Sequence, residues 1–447
     1  MVLFLLANFS ILAQTLSYAD QAVLLSGDDY YGTARFTGMS GAFGALGNDM
    51  TAVDINPAGL AVYNVGESSM TLAYRNTDIQ STFYGNRIDN SDEYFRFSQI
   101  GGAMVWNNTG HPELVKVALG FNYNVIKDFN NNYVAQGNSG VPEFLDDPFL
   151  NYDDDPDNDV FYTNVEDQYF YNYTSGIHDR FSFSFGGMYK DVLYFGASMA
   201  FFNVDFYQNT IYKEFNNDGN DNTLDAYNDQ SLSTYGNGFN FGLGLIYKPI
   251  NSLRIGAAYQ SPVWYDLTER YIEYLDIIVS NNEEIYVESY DPNFYDYELK
   301  TAGKFIGSLA VVFGQFGLLS MDYTYQPYSS TKLKPTSIFN EENQFLDNGL
   351  ASTHSFRFGT EWRVGMLSLR GGYRISESPY KSADSDYDLH GYSLGLGLRF
   401  TRWFTLDFAY DQSTFKDQYQ FIHIEGVRPA ELDVTNSRFT SSLLINF

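Results

Sequence analysis

The chain has 447 residues, no cysteine, 55 acidic against 26 basic side chains and a formal charge of −29. Without thiols there is no disulfide framework, no cysteine-ligated zinc and no thiol nucleophile, and so acidic a chain excludes a phosphate-backbone binder, which needs a basic face. Tyr 38, Phe 38 and Gly 38, with 18% aromatic residues in all, suit lipid-facing and interfacial positions around a crowded lumen.

Residues 1–13 form a short apolar stretch, too short to cross a bilayer as a helix. It reads as the core of a signal peptide, with cleavage after Ala13 or, by the small-x-small pattern Ser17-Tyr18-Ala19, after Ala19, so residues 1–19 are assigned to export. A buried N-terminal strand is the alternative. No later stretch offers about 18 consecutive apolar residues, so no transmembrane helix is expected.

Residues 20–66 do not alternate. Glycine-spaced small and apolar residues run from Tyr31 to Asp49, with Gly41, Gly44 and Gly47 among them, and Asn56-Pro57-Ala58-Gly59 reads as a turn. Such a composition packs closely against other surfaces, as a plug would.

From residue 67 to the end, apolar and polar residues alternate at period two, the strand signal. The expected strands are 67–76, 94–106, 114–127, 180–190, 192–207, 235–248, 251–270, 295–313, 316–327, 353–364, 366–376, 388–400, 403–415 and 436–447. Tight connections such as Lys190-Asp191, Gly314-Gln315 and Thr401-Arg402 alternate with long polar links at 77–93, 128–179, 208–234, 271–294, 328–352, 377–387 and 416–435. Short turns on one side and long loops on the other mark an outer-membrane barrel. The final strand ends on Phe447, with Phe439, Leu443 and Ile445 on its apolar face and Arg438, Thr440 and Ser442 on its polar one. The fold class is therefore all-β: a membrane-spanning antiparallel barrel of about fourteen strands over residues 67–447. Eight strands just fill a barrel and sixteen leave a water channel, so a barrel of this size needs the plug to stay tight.

Other chemistry is thin. The glycine spacings of 32–47 lack the flanking strand and helix of a nucleotide loop. The acidic run Asp153–Asp159 reads as solvated loop, with divalent-ion binding a minor alternative, and Asn216–Asn222 lacks the terminal glutamate of a calcium loop. The five histidines show no ligand spacing. His354 near Ser352 and Ser355, and His390 near Ser393, are too weak to suggest a hydrolase. No cofactor, metal site or catalytic residue is expected. On the lumen face lie Arg357, Arg363, Arg370, Arg374, Arg399 and Arg438, with Glu361, Asp407 and Asp411 between them. Arg357, Arg370, Arg374 and Arg399 are candidates to fork a ligand carboxylate; a structural ladder of ion pairs reaching onto the plug is the other reading.

The segments Gly32-Thr-Ala-Arg-Phe36, Gly41-Ala-Phe-Gly-Ala-Leu-Gly47 and Asn56-Pro-Ala-Gly-Leu60 resemble the N-terminal hatch of the FadL family of outer-membrane transporters for long-chain fatty acids and other hydrophobic compounds. Leu253–Pro262, Met321–Tyr325, Phe356–Trp362 and Leu369–Pro379 agree with it in the same order. The resemblance implies a fourteen-stranded barrel with a hatch in its lumen, gated around Asn56, Pro57, Ala58 and Gly59 and around Gly41, Gly44 and Gly47. It implies passive uptake of hydrophobic molecules, most simply long-chain fatty acids, with sideways release near the third strand, where Gly120 sits. The implied partners are the hydrophobic ligand, outer-membrane lipid and the barrel-assembly machinery, for a monomer in the outer membrane of a Gram-negative bacterium. A surface adhesin or scaffold with acidic loops, and a polar-solute porin, are the rivals. The long 128–179 link is an elaboration on the family pattern.

Overall fold

A lipid-embedded sheet must satisfy its own backbone, so it must close. In the computed structural model, which describes residues 15–27, 29, 31–107, 113–148, 160–280, 284–289 and 291–447, it does. All strands among the described residues belong to one antiparallel sheet, and the first pairs with the last from Glu67↔Asn446 to Thr82↔Glu431. Ala13 and the Asp153–Asp159 run lie outside the described residues.

The sheet has fourteen staves. They are β1 (Glu67–Phe83), β2 (Asn86–Asn107), β3 (Leu114–Asp128, continued by Asn131–Gly137), β4 (Asn164–Tyr189), β5 (Leu193–Asn217), β6 (Thr223–Ile250) and β7 (Leu253–Gln260, continued by Trp264–Val279). Then come β8 (Asn293–Lys300, continued by Lys304–Phe313), β9 (Gly317–Pro327), β10 (Ser352–Val364), β11 (Leu367–Ser376), β12 (Leu389–Arg399), β13 (Phe404–Tyr419) and β14 (Ala430–Asn446). A short strand, Glu284–Ser289, folds back on the outer end of β7. Among the described residues no helix is long and apolar enough to cross a membrane.

Side chains follow the pleat. Met70, Leu72 and Tyr74, Phe181, Phe183 and Phe185, and Leu367, Leu394, Leu396 and Phe404 face outward and are exposed, while Ser69, Thr71, Arg75, Arg370, Asp407 and Asp411 face inward and are buried. A cation on the outer face at mid-bilayer would cost about 2–4 kcal/mol, and this register keeps the charges inside. The tight side uses left-handed turns, with Lys190, Asp191, Gly314 and Gly365 at positive φ.

Strand number follows the alternation, but several staves run longer than expected. Residues 77–93 form a continuous hairpin turning at Tyr84-Gly85, both at positive φ. The 208–234 link is mostly strand, since β5 reaches Asn217 and β6 starts at Thr223. The 271–294 and 128–179 links also contain strand, and 328–352 holds a helix over Asn340–Gly349. β5 has 25 residues and β6 28, whereas a tilted strand crosses the hydrocarbon in about 9–11. The rest stands in water, where both faces carry polar groups, as Gln208 beside Asn209 or Gln230 beside Asp229 do. The apolar contrast that reveals a strand in lipid vanishes there.

The outer end of this projecting sheet is closed by a loop around Glu143. The fully buried carboxylate of Glu214 accepts the backbone N–H groups of Glu143 and Phe144, each at 2.9 Å, and the Gln168 amide at 2.9 Å. Burial, then the charge of Glu214, pushes the Glu143 carboxyl up to about 8. An acid whose folded pKa lies above its unfolded value disfavours the folded loop increasingly as pH climbs from the unfolded value towards 8. Proteolysis at this loop should therefore speed up between pH 6 and pH 9, and Glu143→Gln should flatten that dependence; an unaltered pH profile in the variant would contradict the assignment.

Candidate functional site

Residues 31–63 fold into a hatch inside the barrel, built of short capped turns. Thr33 caps α1 of the hatch (Ala34–Thr37) by accepting Phe36 N–H, and Asp49 caps α2 (Met50–Ile55) by accepting the N–H groups of Thr51 and Ala52. Asn56 does three things at once. Its Oδ1 accepts Ala58 N–H, and its Nδ2 donates to Gly44 O at 2.7 Å and to Leu245 O of β6 at 3.2 Å. Pro57 then opens a 3-10 turn over Pro57–Val62, where its missing N–H costs nothing. Gly47, at φ +62, lies against Gly59, and a Cβ there would sit 2.6 Å from the Gly59 Cα.

The wall receives the hatch on glycine. A Cβ on Gly196 of β5 would meet the Pro57 carbonyl carbon at 2.4 Å. One on Gly244 of β6 would meet Asn56 Oδ1 at 1.9 Å, and one on Gly256 of β7 would meet Gly44 O at 2.6 Å. Gly186, Gly359, Gly372 and Gly395 make similar approaches to Ala61, Met39, Met39 and Gly38. Gly41 and Gly44 belong to the same surface, facing Phe36 and Ser308. Backbone-to-backbone approach of this kind needs positions without side chains.

Buried polar groups then fix the seat. Asp322 of β9 accepts Phe43 N–H and Gly44 N–H, both at 2.9 Å. Asp54 of the hatch takes Asn122 Nδ2 at 2.7 Å, Arg180 Nη2 at 2.8 Å and the Ser182 hydroxyl. Arg35 pairs with Glu361 at 2.9 Å, and Glu361 also takes Arg370 at 2.7 Å and Arg363. Arg370 reaches on to Asp407 at 2.9 Å, and Asp411 holds both Arg374 (3.0 Å) and Arg438 (2.7 Å). Arg370, Arg374 and Arg438 thus form ion pairs across neighbouring strands, and Arg35 carries the network onto the hatch. Removing one partner of such a buried pair strands the other charge, at about 3–5 kcal/mol.

Outward of the hatch lies a cavity of about 1420 Å³. Its floor carries Tyr31, Arg75, Asp128, Arg357, Arg374 and Arg438; Arg438 lies over the Tyr31 ring at 4.2 Å. Its walls include Leu24, Phe129, Phe206, Leu232 and Glu269, and its mouth Asp20, Tyr380 and Asp417. Of the four arginines proposed as ligand contacts, Arg357 and Arg374 line this cavity. Arg370 and Arg399 do not: Arg370 is taken up by Glu361 and Asp407 below the floor, and Arg399 is exposed at the inner rim, one residue before the turn. The sequence put all four on one face, as the structure does, but a face carries no height along the barrel.

A further helix, Tyr18–Ser26, borders the cavity. Ser17 caps it, Gln21 Nε2 donates to Glu269 at 2.9 Å and Tyr380 OH donates to Asp20 at 3.1 Å. Burial, with the Asp20 charge beside it, raises the Tyr380 phenol, which stays protonated as that donor. Tyr18 packs edge-on to Tyr297 and Phe339, and Ala19 is buried. Residues 18 and 19 thus pack within the lumen. Ser17 with Asp20 three residues on is the capping signal.

Gly120 lies in an unbroken stretch of the ladder. It pairs with Ala103 on one side and Ser184 on the other, and its free face lies against Leu60 of the hatch. The break lies further out on the same strand. The β2–β3 ladder stops at Gln99↔Asn124, and from Asn86 to Phe97 β2 pairs, among the described residues, with β1 alone. Ser98 is bulged out of register there, and β3 loses register between Val125 and Lys127. β3 then continues as Asn131–Gly137 under the β1–β2 hairpin, where Ser81 donates to Val134 O.

No protein-family profile and no curated protein sequence matches this chain. Solved structures do. A FadL homologue from Pseudomonas aeruginosa has a TM-score of 0.60 at 14% identity, over 93% of this chain and 98% of that one. The toluene transporter TodX of P. putida gives 0.56 at 15%, over 93% and 98%. The toluene transporter TbuX of Ralstonia pickettii gives 0.51 at 17%, over 92% and 98%. The chain has the fold of the FadL-type outer-membrane transporters.

The glycine seat makes a direct prediction. Gly196→Leu should dislodge the hatch at Pro57 and admit a polar dye to proteoliposomes, while the barrel still runs fast unboiled and shifts on heating. A variant that stays tight to dye would show that the hatch does not depend on this approach.

Proposed function

We propose that this protein takes hydrophobic molecules up passively across the outer membrane of a Gram-negative bacterium. They enter the cavity from outside and leave sideways into the bilayer through the β2–β3 break. The observation that carries this reading is the coincidence of a cavity closed inwardly by the seated hatch with a ladder break that borders it. A polar-solute porin fits poorly with a lumen filled by hatch backbone. TodX and TbuX, which share the fold, are toluene transporters, so the class extends to uncharged hydrocarbons. In this chain the arginine floor favours a hydrophobe with an acid group, and a long-chain fatty acid is the simplest such ligand. Transfer is driven by burial of apolar surface, about 0.8 kcal/mol per methylene, first in the cavity and then in lipid, with no energy source.

In this reading the Asn56-Pro57-Ala58-Gly59 turn gates the path, because Asn56 ties the Gly44 turn to β6. The protein acts as a monomer. Phe447, exposed at the end of β14, serves the barrel-assembly machinery as an insertion signal. Export cleavage falls after Ala13, since a cut after Ala19 would remove the Ser17 cap and Tyr18. N-terminal sequencing of the membrane form should begin at Gln14.

Asn56→Ala should lower uptake of radiolabelled oleate several-fold with barrel abundance and heat shift unchanged, whereas deleting residues 20–60 should make cells leaky to polar dyes. Normal oleate uptake together with dye-tightness in both would remove the hatch from the mechanism.

A further inference from the structure

Beyond Gln99↔Asn124 no ladder joins β2 to β3, yet the two strands are held together there by side chains. Ala73↔Arg96 and Arg75↔Tyr94 are pairs on the β1–β2 hairpin, so Arg75 and Arg96 share its inward face, one on each strand. Both reach for the point where β3 bends. Arg96 Nε binds Asp128 Oδ2 at 2.9 Å. Arg75 Nη1 donates to the Asp128 carbonyl at 2.9 Å, and Nη2 to the Asn130 carbonyl; Nη1 also lies 4.0 Å from Asp128 Oδ1. The Asp128 side chain is 3% exposed, and its Oδ1 accepts Asn130 N–H at 3.1 Å, fixing the bend. The nearby cations have their own acids, Arg438 on Asp411 and Lys127 on Asp29 at 3.7 Å. Asp179 of β4, opposite Val125, also lies in the field of Arg96, but Asp128 is the carboxylate that Arg75 and Arg96 share.

We propose that Arg75, Arg96 and Asp128 form a latch across this break that selects hydrophobes bearing an acid group. The inference rests on the lateral-release reading above. Arg75 and Asp128 both line the cavity, so a ligand carboxylate lying along the floor reaches the Arg75 guanidinium and the acid to which Arg96 is paired. A carboxylate replaces Asp128 with bidentate, charge-assisted hydrogen bonds, which frees the β3 bend from β2 and widens the gap. A neutral hydrophobe offers no such exchange. It would have to leave buried Arg75 and partly buried Arg96 without Asp128, so it binds the closed and open arrangements alike and shifts nothing. The ligand's own charge is what opens its exit.

The test compares oleate with methyl oleate, which have the same chain with and without the charge, in proteoliposomes corrected for protein-free vesicles. Wild type should transfer oleate faster by about tenfold, the worth of one charge-assisted hydrogen bond. In Asp128→Asn, and again in Arg96→Gln, that preference should fall towards unity through faster transfer of the ester, with the heat shift of the barrel intact. Preserved preference in both folded variants overturns the latch. A second pair of substitutions separates the two levels of the argument, because the chain has no cysteine of its own. Ser98→Cys with Val125→Cys, one position beyond the last ladder pair, would be oxidised to staple β2 to β3. A staple that stops oleate transfer, reversed by reductant, supports lateral release, and the Asp128 and Arg96 ratios then decide the latch. Transfer unaffected by a completed staple overturns lateral release itself, and the latch with it.

Discussion

Everything inside this barrel depends on letting one backbone lie directly on another. A fourteen-stranded lumen is too wide for side chains to fill and would leak if left open. The chain fills it with its own residues 31–63, and these come close enough only because Gly196, Gly244, Gly256 and their neighbours present no side chain. Close approach brings unpaired N–H and C=O groups into a dry interior, where each would cost about 1–3 kcal/mol unmatched. Asp322, Asp54 and Asn56 answer that need by bonding backbone and side chain across the seam.

The same constraint divides the lumen into two parts. Inward, glycine contact and the Arg35–Glu361–Arg370 pairs make a tight seal. Outward, the wall carries larger residues and the hatch stops, leaving the cavity. The break in the wall sits on the cavity side of that boundary, where β2 bulges at Ser98 and β3 bends at Asp128. A hydrophobic solute in the cavity thus faces a packed hatch below and a gap secured by side chains beside it.

Much of this was legible in the sequence, for reasons that mark where legibility ends. Lipid imposes an apolar outer face, so alternation such as Leu394, Leu396 and Leu398 against Gly395 and Gly397 gave strand number and register. Outside the bilayer that demand lapses, and the outer halves of β5 and β6 read as loop. The hatch was visible in Gly41, Gly44, Gly47 and Asn56-Pro57, but its glycine-paved seat was not, since an isolated strand glycine has several causes. The arginines on one face foretold the ion pairs to Glu361, Asp407 and Asp411, yet not that Arg357 and Arg374 stand at the cavity while Arg370 and Arg399 lie inward of it. The third strand was legible as a whole, but a ladder depends on partners far apart in the chain, so the loss of pairing beyond Asn124 was not.

The central claim is that the path runs from the lumen into the bilayer, past a sealed hatch. Its most direct test is stopped-flow delivery of a fluorescent fatty acid to proteoliposomes holding a quencher in the membrane and albumin trapped inside. Quenching in the bilayer before any signal from albumin is the outcome this account predicts. An albumin signal that rises first, with the bilayer quencher silent, would mean that solute passes straight through the barrel, and would contradict it.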